Sequence, residues 1–254
     1  MPLFWMLSTS LKETGKEWTV PPQWIPDPFV WENYSKALTV LPFHLFFRNT
    51  IVITTLATVG TLWTSTMAGF AFARLRFPGR DTLFVLVLAT MMLPGVVTLI
   101  PTYLLFKAFN WLNTFLPLIV PYWFGGTAFS IFLSRQFFLG VPYELDEAAR
   151  VDGASGFRIY ATLVLPLSPP LLAALGIFSV LNHWNEFMGP LIYLNRMELK
   201  TLALGLRSFQ GSFGAQFNLL MAAATVTVVP VIALFFSAQR FFMRGIMMTG
   251  MGGR

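Results

Sequence analysis

The stretch PYELDEAARVDGASG, residues 142–156, concentrates charge in a chain that is otherwise apolar. It holds four of the eleven acidic residues, Glu144, Asp146, Glu147 and Asp152. The 254-residue chain is 56% hydrophobic and only 11% charged, whereas soluble domains carry roughly 25% charged residues. So few charges outside this stretch suggest that the chain on either side of it is not folded in water, and those flanking segments indicate the fold.

Long uncharged stretches occupy most of the chain. Five of them contain no Asp, Glu, Lys or Arg: residues 49–73, 82–106, 108–134, 159–185 and 208–239. About 20 apolar residues form a helix long enough to cross the hydrocarbon core of a bilayer. A soluble protein would need several such buried helices in one small chain. The sequence therefore predicts an all-α integral membrane protein.

About six transmembrane helices are predicted, of which five are complete. Residues 1–11 are predicted to be the remnant of a truncated first span, and the Pro- and Trp-rich residues 12–46 an outer loop. The transmembrane core is placed at 47–238, with complete spans at about 47–72, 82–107, 114–134 and 166–190 and a last one ending near 238. Pro94 and Pro101 predict a kink or break in the second complete span. Residues 239–254 form a basic tail.

The basic residues predict the orientation in the membrane. Nine of them lie in the shorter loops on one side, and eight lie in longer loops on the other. Because cytoplasmic loops carry the excess of Lys and Arg, the charged loop 135–165 and the tail are predicted to be cytoplasmic. The scattered basic residues do not form a nucleic-acid-binding face, so no nucleic acid is expected as a partner.

The charged loop has the pattern of a helix, a glycine turn and a second helix. Pro142 suits the first helical position, and the acids after it suit the helix N-terminus. Asp146 and Arg150 have the spacing of a surface ion pair, and Gly153 lies where a left-handed C-terminal cap is expected. Ser155 is predicted to cap the second helix.

Two interpretations of the first of these helices remain open. Leu145, Ala148 and Ala149 share a small apolar face flanked by charges, which suits docking into a groove on another protein. An ordinary solvated helical loop fits the composition equally well. Pro166 is predicted to bend or end the second helix before the membrane.

A resemblance favours docking. The motif EAARVDG, followed after nine residues by LVLP, resembles the EAA loop of permease subunits in binding-protein-dependent ABC importers. The matching residues are Glu147, Ala148, Ala149, Gly153, Leu165 and Pro166, with Leu163 where the family has Ile. The segments WMLSTSLK, PPQWIP, ENY, ARLRFPGR, LIPTYLL, HWNEFMGPLIYL and QRFFMRGI extend the likeness. The chain resembles the smaller permease of maltose-type and glycerol-phosphate-type carbohydrate importers.

The resemblance implies that the charged loop is the coupling helix that contacts an ATPase. The residues expected to couple are Glu144, Glu147, Ala148, Ala149, Arg150, Asp152, Gly153, Leu165 and Pro166. The chain contains no G-x-x-x-x-G-K-[ST] phosphate loop, so ATP and Mg²⁺ are expected on the partner ATPase and no enzyme activity on this chain. Cysteine is absent and only two histidines occur, so no metal site or other bound cofactor is expected.

The resemblance also implies the partners and the location. We expect a second permease, an ATPase dimer, an extracytoplasmic solute-binding protein, a sugar-like solute and membrane lipid. A multi-pass position in the inner or plasma membrane of a bacterial or archaeal cell follows. The glycine-rich residues Gln210, Gly211, Ser212, Phe213 and Gly214 are predicted to contact the binding protein, although an ordinary turn explains them equally well.

A pathway for the solute is predicted at the outer end of the span at 166–190. Asn182, Trp184, Asn185 and Glu186 supply the aromatic surface and the polar groups that sugars bind, and ionisable groups near a bilayer often mark a pathway. Packing at the membrane interface or against the partner permease is the alternative.

Two other classes of protein are weaker alternatives. A secondary transporter or channel not driven by ATP would be expected to carry carboxylates inside its spans, and none lies within the five uncharged stretches. An intramembrane enzyme would need a nucleophile with a base or a metal cluster, and no such spacing is visible around His183. Neither class explains the charged loop.

Overall fold

Helices form all of the regular secondary structure in the described part of the chain. A computed structural model describes residues 2–212 and 216–250, with side chains at 2–209 and 216–237. The helices are α1 Pro2–Ser10, α2 Glu32–Val40, α3 Phe43–Arg74, α4 Arg80–Ala89, α5 Gly95–Ala108, α6 Leu116–Phe124, α7 Ala128–Leu139, α8 Glu144–Val151, α9 Gly156–Ile159, α10 Pro169–Trp184, α11 Met188–Tyr193, α12 Leu202–Ser212 and α13 Phe217–Gly250. The predicted all-helical class is confirmed for these residues.

Three helical segments are long and apolar enough to cross a membrane by themselves. They are Phe43–Arg74, Leu116–Leu139 and Phe217–Ser237. Two bent pairs qualify if each pair is counted as one span: Arg80–Met92 with Gly95–Ala108, bent by 100°, and Gly156–Val164 with Pro169–Trp184, bent by 88°. The described residues therefore hold three to five candidate spans.

The break predicted in the second complete span occurs at one of its two prolines. Leu93 and Pro94 have extended backbone, with ψ of 118° and 132°, and separate the short 3-10 helix Thr90–Met92 from α5. Proline cannot donate a helical hydrogen bond and drives the residue before it out of the helical region. Pro101, in contrast, lies within α5 without ending it.

One compact unit consists of Met1–Val52 and Trp184–Ser237. Its buried core is made of Ala37, Leu41, Phe43, Phe46, Trp184, Leu202, Phe209, Leu219, Ala222 and Ala223. The Asn49 side-chain amide donates to the carbonyl oxygens of Glu198 and Lys200, at 2.8 and 3.0 Å. The segment 12–46, predicted as an outer loop, contains helix α2 and the first residues of α3.

The second unit consists of Ile53–His183 and Ala238–Arg254. Its buried cluster, which we call the α8 support, is made of Phe70, Phe138, Ile159, Tyr160, Val164, Leu171 and Leu175. Ala149 and Ala154 of the charged loop pack against this cluster. Helices α3 and α7 lie in close contact, because a Cβ placed on Gly69 would overlap the side chain of Ser134. Small residues allow such close approach between membrane helices.

Candidate functional site

The charged loop folds as the predicted helix, glycine turn and second helix. Helix α8 is followed by Gly153, whose φ of 77° is in the left-handed region, and then by α9. The predicted start at Pro142 is wrong by two residues. The Tyr143 carbonyl accepts the first helical hydrogen bonds, from the backbone N–H groups of Asp146 and Glu147 at 2.9 and 3.2 Å.

The second helix begins and ends at the residues that the sequence indicated. The Ser155 hydroxyl accepts a hydrogen bond from the Arg158 backbone N–H at 3.3 Å, which confirms the predicted N-terminal cap. The helix continues as the π-helical stretch Tyr160–Val164 and bends by 88° before α10. Pro166 lies within this bend and cannot donate a helical hydrogen bond.

The inner side of α8 carries a buried charge pair that the sequence did not indicate. Asp146 is fully buried, and one of its carboxylate oxygens lies 3.8 Å from Nη1 of Arg74, which is also buried. The predicted pair of Asp146 with Arg150 is therefore wrong. The Arg150 guanidinium is instead 5.9 Å from the centre of the Tyr143 ring. Because a buried carboxylate needs a compensating partner, Asp146 pairs with the cation that is buried beside it.

Arg74 also caps the C-terminal end of helix α7. Its Nη2 donates to the carbonyl oxygens of Phe138, at 2.6 Å, and Val141. These carbonyls belong to the last turn of α7 and the residues after it. Carbonyls at a helix C-terminus lack helical partners, and a cation there is favoured by the helix dipole. In sequence, Arg74 is the first charge after the uncharged stretch 49–73, but nothing there identifies the groups opposite it.

The outer side of α8 is exposed. Glu144, Glu147, Ala148, Arg150, Asp152 and Gly153 are all exposed, together with Leu145. Val151 is 88% exposed, and Phe157 on α9 is 58% exposed. Exposed large apolar side chains that are surrounded by charges are typical of a surface that binds another protein. We call these exposed residues, Glu144, Leu145, Glu147, Ala148, Arg150, Val151, Asp152, Gly153 and Phe157, the outer face of the loop.

Three of the predicted coupling residues lie elsewhere than on this outer face. Ala149 is half-buried against the α8 support, so only Leu145 and Ala148 of the predicted apolar face are exposed. Leu165 also packs against the support, whereas Pro166 is exposed in the bend before α10.

The predicted solute-pathway residues have different surroundings. Trp184 is buried in the core of the first unit, where its indole N–H donates to the Thr227 carbonyl at 3.3 Å. This burial favours the packing alternative for Trp184. A carboxylate oxygen of Glu186 accepts a hydrogen bond from the Gly189 N–H at 2.9 Å, at the start of α11. Asn182 and Asn185 are exposed.

The predicted contact with a binding protein lies partly outside the described residues. Gln210, Gly211 and Ser212 form the last residues of α12. Phe213 and Gly214 lie outside the described part of the chain.

A polar network in the first unit was not expected from the sequence. The side-chain amide of Asn218 donates to the Lys12 carbonyl at 3.1 Å, and the Asn218 backbone N–H donates to Glu17 at 3.4 Å. The ammonium of Lys12 lies 3.9 Å from the centre of the Trp5 ring. This network joins the segment after α1 to the first turn of α13. Lys12 appeared in the sequence only as one more charge of a loop.

The fold and this loop define a class of protein: a multi-pass helical membrane protein with an exposed charged loop built on a buried support. The chain belongs to the family described as binding-protein-dependent transport system inner membrane component, whose model matches residues 60–247. It is therefore an inner-membrane permease of a binding-protein-dependent importer. The family is one of transport components rather than enzymes.

Individual relatives and a solved structure agree with this family. The chain is 36% identical over 248 residues to the sn-glycerol-3-phosphate transport system permease protein UgpE of Yersinia enterocolitica, covering 94% of this chain and 87% of the relative. It is 36% identical over 208 residues to the arabinooligosaccharides transport system permease protein AraQ of Halalkalibacterium halodurans, covering 82% and 74%. The fold is similar to that of a bacterial ABC transporter involved in import of the acidic polysaccharide alginate, with a TM-score of 0.81, 23% identity, and 95% and 90% coverage.

Proposed function

We propose that this chain and a second permease together form the membrane pathway for a sugar or sugar-like solute. An extracytoplasmic binding protein delivers the solute, and a cytoplasmic ATPase dimer, which holds ATP and Mg²⁺, drives transport. The names of two relatives support the solute class, because one transports glycerol phosphate and the other arabino-oligosaccharides. Phosphate-bearing polyols and oligosaccharides share the hydroxyl groups that such a pathway would recognise.

The exposed outer face of the loop is the observation that carries the ATPase contact. Its large apolar side chains, Val151 and Phe157, are left open to solvent, while its inner side is fixed by Asp146 and by the α8 support. The outer face is exposed for a partner to bind, and the inner side of the same helix is packed against the rest of the unit. A partner that binds the outer face could therefore move the loop as a rigid body. We therefore assign the ATPase contact to the predicted residues Glu144, Glu147, Ala148, Arg150, Asp152 and Gly153, together with the exposed Val151 and Phe157.

We place the remaining contacts by the same reasoning. The exposed Asn182 and Asn185 are proposed as solute contacts near the outer surface. The end of α12 and the residues after it are proposed to meet the binding protein. Helix α1 carries exposed Leu3, Phe4 and Leu7, which suit contact with lipid, so we count α1 toward a sixth span.

Retention of the ATPase tests this function. The chain would be expressed with the permease and the ATPase encoded next to it, and the ATPase that co-purifies would be measured. We expect wild type to retain the ATPase and Glu147→Lys to lose most of it, because the change reverses a charge on the outer face. Glu198→Lys makes the same change at an exposed acid predicted to lie on the opposite side, and it should retain the ATPase. Equal retention by Glu147→Lys would contradict the assigned contact.

Gly153 gives a second, independent test of the same surface. A Cβ at this glycine meets no atom within 4 Å, so a new side chain extends into open space, although the φ of 77° at this position strains residues other than glycine. Gly153→Asn should retain the ATPase, because Asn tolerates a positive φ better than most residues. Gly153→Trp should lose it, because its bulk would occupy the contact surface. Full retention and transport by Gly153→Trp would place the ATPase elsewhere.

A further inference from the structure

Three helices meet at one buried guanidinium group. Arg74 is the last residue of α3, it donates to carbonyls at the end of α7, and it lies 3.8 Å from Asp146 on α8. The Arg74 guanidinium also lies 5.6 Å from the centre of the Tyr143 ring, just before α8 begins. Among the described residues, Arg74–Asp146 is the one ion pair of α8 in which both side chains are buried.

We propose that Arg74 is a positioning residue that fixes the coupling loop to the ends of α3 and α7. The proposal rests on the proposed function, in which an ATPase binds to the outer face of the loop. Movement of that face then reaches α3 and α7 through the Arg74–Asp146 pair, and the three helices move as one body. Without this link, α8 can shift on its support while α3 stays in place.

The partners of Arg74 explain why this one residue would have the role. Neither carboxylate oxygen of Asp146 accepts a hydrogen bond from a described residue. The ion pair with Arg74 is therefore the electrostatic interaction that joins Asp146 to α3. Arginine carries several donors in a planar fork, and it can therefore face two carbonyls and a carboxylate at once. Lysine is a single flexible point charge and cannot reproduce this geometry.

The α8 support by itself does not fix the loop in this way. Ala149 and Ala154 are the loop residues from α8 and the following turn that pack against it, and alanine presents only a methyl group. Apolar contact between such small side chains is non-directional. The charge-assisted hydrogen bonds of Arg74 are directional and stronger, and they fix its guanidinium at the end of α7. The buried Asp146 carboxylate, 3.8 Å away, is attracted to this fixed charge, and α8 is held with it.

A distance measurement tests the positioning directly. The chain contains no cysteine, so spin labels can be placed at Leu56→Cys on α3 and Val151→Cys on α8, both exposed positions. Leu56 precedes Arg74 by 18 residues, or about 27 Å of helix, and Arg74 contacts α8, which carries the second label. The distance between the two labels therefore lies in the range that pulsed electron spin resonance measures. We expect a narrow distance distribution that becomes broad or shifted in Arg74→Met. Arg80→Met, which removes an arginine paired with the exposed Asp81, should leave the distribution unchanged.

Coupled transport provides the functional readout. In proteoliposomes that contain the complete complex, Arg74→Met should lower the solute transported per ATP hydrolysed by about fivefold or more, the lower end of typical coupling between sites. The ATPase should stay bound, because the outer face is unchanged. Arg74→Lys should not restore the ratio, whereas a residue needed only for its charge would be replaced by lysine.

Each outcome supports or overturns the proposal. If Arg74→Met does not accumulate, Asp146→Asn takes its place, since it removes the charge pair but keeps the shape and the Arg74–carbonyl bonds. An unchanged distance distribution and an unchanged transport ratio would overturn the positioning role. Failure of wild type to retain the ATPase would refute the proposed function instead, and the spin-label distances would still decide whether Arg74 positions the loop.

Discussion

Lys12 and Arg74 are buried cations whose surroundings differ. Arg74 faces two carbonyls and a carboxylate. The ammonium of Lys12 has no hydrogen-bond partner among the described residues and lies over the Trp5 ring. Burial of Lys12 lowers the pKa of its ammonium below the ordinary 10.5, and the nearby Glu17 carboxylate opposes this only in part. A ring face attracts a cation but does not replace the water that a buried ammonium loses.

The lowered pKa of Lys12 predicts how stability depends on pH. Between the lowered pKa and 10.5, the folded chain binds fewer protons than the unfolded chain, so the free energy of unfolding rises with pH in this interval. Below it, the cost of burying the charge is fully present. We expect Lys12→Met to lack this rise, so that wild type gains thermal stability relative to the variant as the pH approaches 10.5. Unfolding temperatures in detergent at several pH values would measure the difference.

Lys36 supplies the control for this prediction. It is an exposed lysine on α2 that pairs with Glu32 at 3.0 Å. Lys36→Met should follow the wild-type dependence on pH over the same interval. A parallel pH dependence of wild type and Lys12→Met would show that burial of Lys12 does not disfavour its charge.

At the scale of elements, the features that could be predicted from sequence are those with local causes. Uncharged stretches of sufficient length predict helices, proline at position 94 predicts a break, and Ser155 predicts a cap. Gly153 predicts a left-handed turn for the same kind of reason. Each of these depends on residues that are neighbours in the chain, and each is found in the structure.

The features that could not be predicted depend on contacts between distant residues. The sequence spacing favoured Arg150 as the partner of Asp146, because residues four apart on a helix are neighbours. The actual partner, Arg74, is 72 positions away in the sequence. The burial of Trp184 likewise depends on α13, whose Thr227 carbonyl accepts its indole N–H. Polar residue types that suit a sugar also suit the core, and only packing distinguishes the two.

The α8 support and the outer face should respond differently to the same substitution. Phe70 is buried between Phe138 and Tyr160, with ring centres 6.3 and 5.5 Å away. Phe70→Ala should therefore cost about 3–5 kcal/mol of stability, as for other buried aromatic side chains. Phe157→Ala, at an exposed position, should leave the unfolding temperature nearly unchanged and weaken retention of the ATPase. Thermal unfolding and co-purification of both variants would measure the two effects.

The opposite pattern would contradict this division of the loop. Loss of stability in Phe157→Ala would mean that its ring supports the fold, and normal retention of the ATPase by that variant would remove Phe157 from the contact surface. An unaffected unfolding temperature in Phe70→Ala would mean that the cluster does not support α8.

At the scale of the whole molecule, the distribution of charge bears on the energy source. Transporters driven by proton gradients use carboxylates or histidines within their spans. The five uncharged stretches contain no acid over 25 or more residues each, and their single histidine is His183, near the end of one of them. The acids of this chain lie instead in loops and at helix ends, and four of the eleven lie in one segment. We expect a chain of this kind to change shape in response to a partner that binds this segment, because the five uncharged stretches hold no carboxylate that could carry a proton.

The energy source can therefore be tested on the complete complex. With the binding protein present and ATP enclosed with the ATPase, uptake of a glycerol phosphate or an arabino-oligosaccharide into proteoliposomes should continue after a protonophore has collapsed the proton gradient. Uptake should stop when ATP is replaced by an analogue that is not hydrolysed, because the ATPase dimer then closes but does not reopen for the next transport cycle. A secondary transporter would give the reverse result: uptake would fail with the protonophore and persist without ATP hydrolysis. Uptake of only one of the two solutes under these conditions would also decide which relative's solute class this pathway shares.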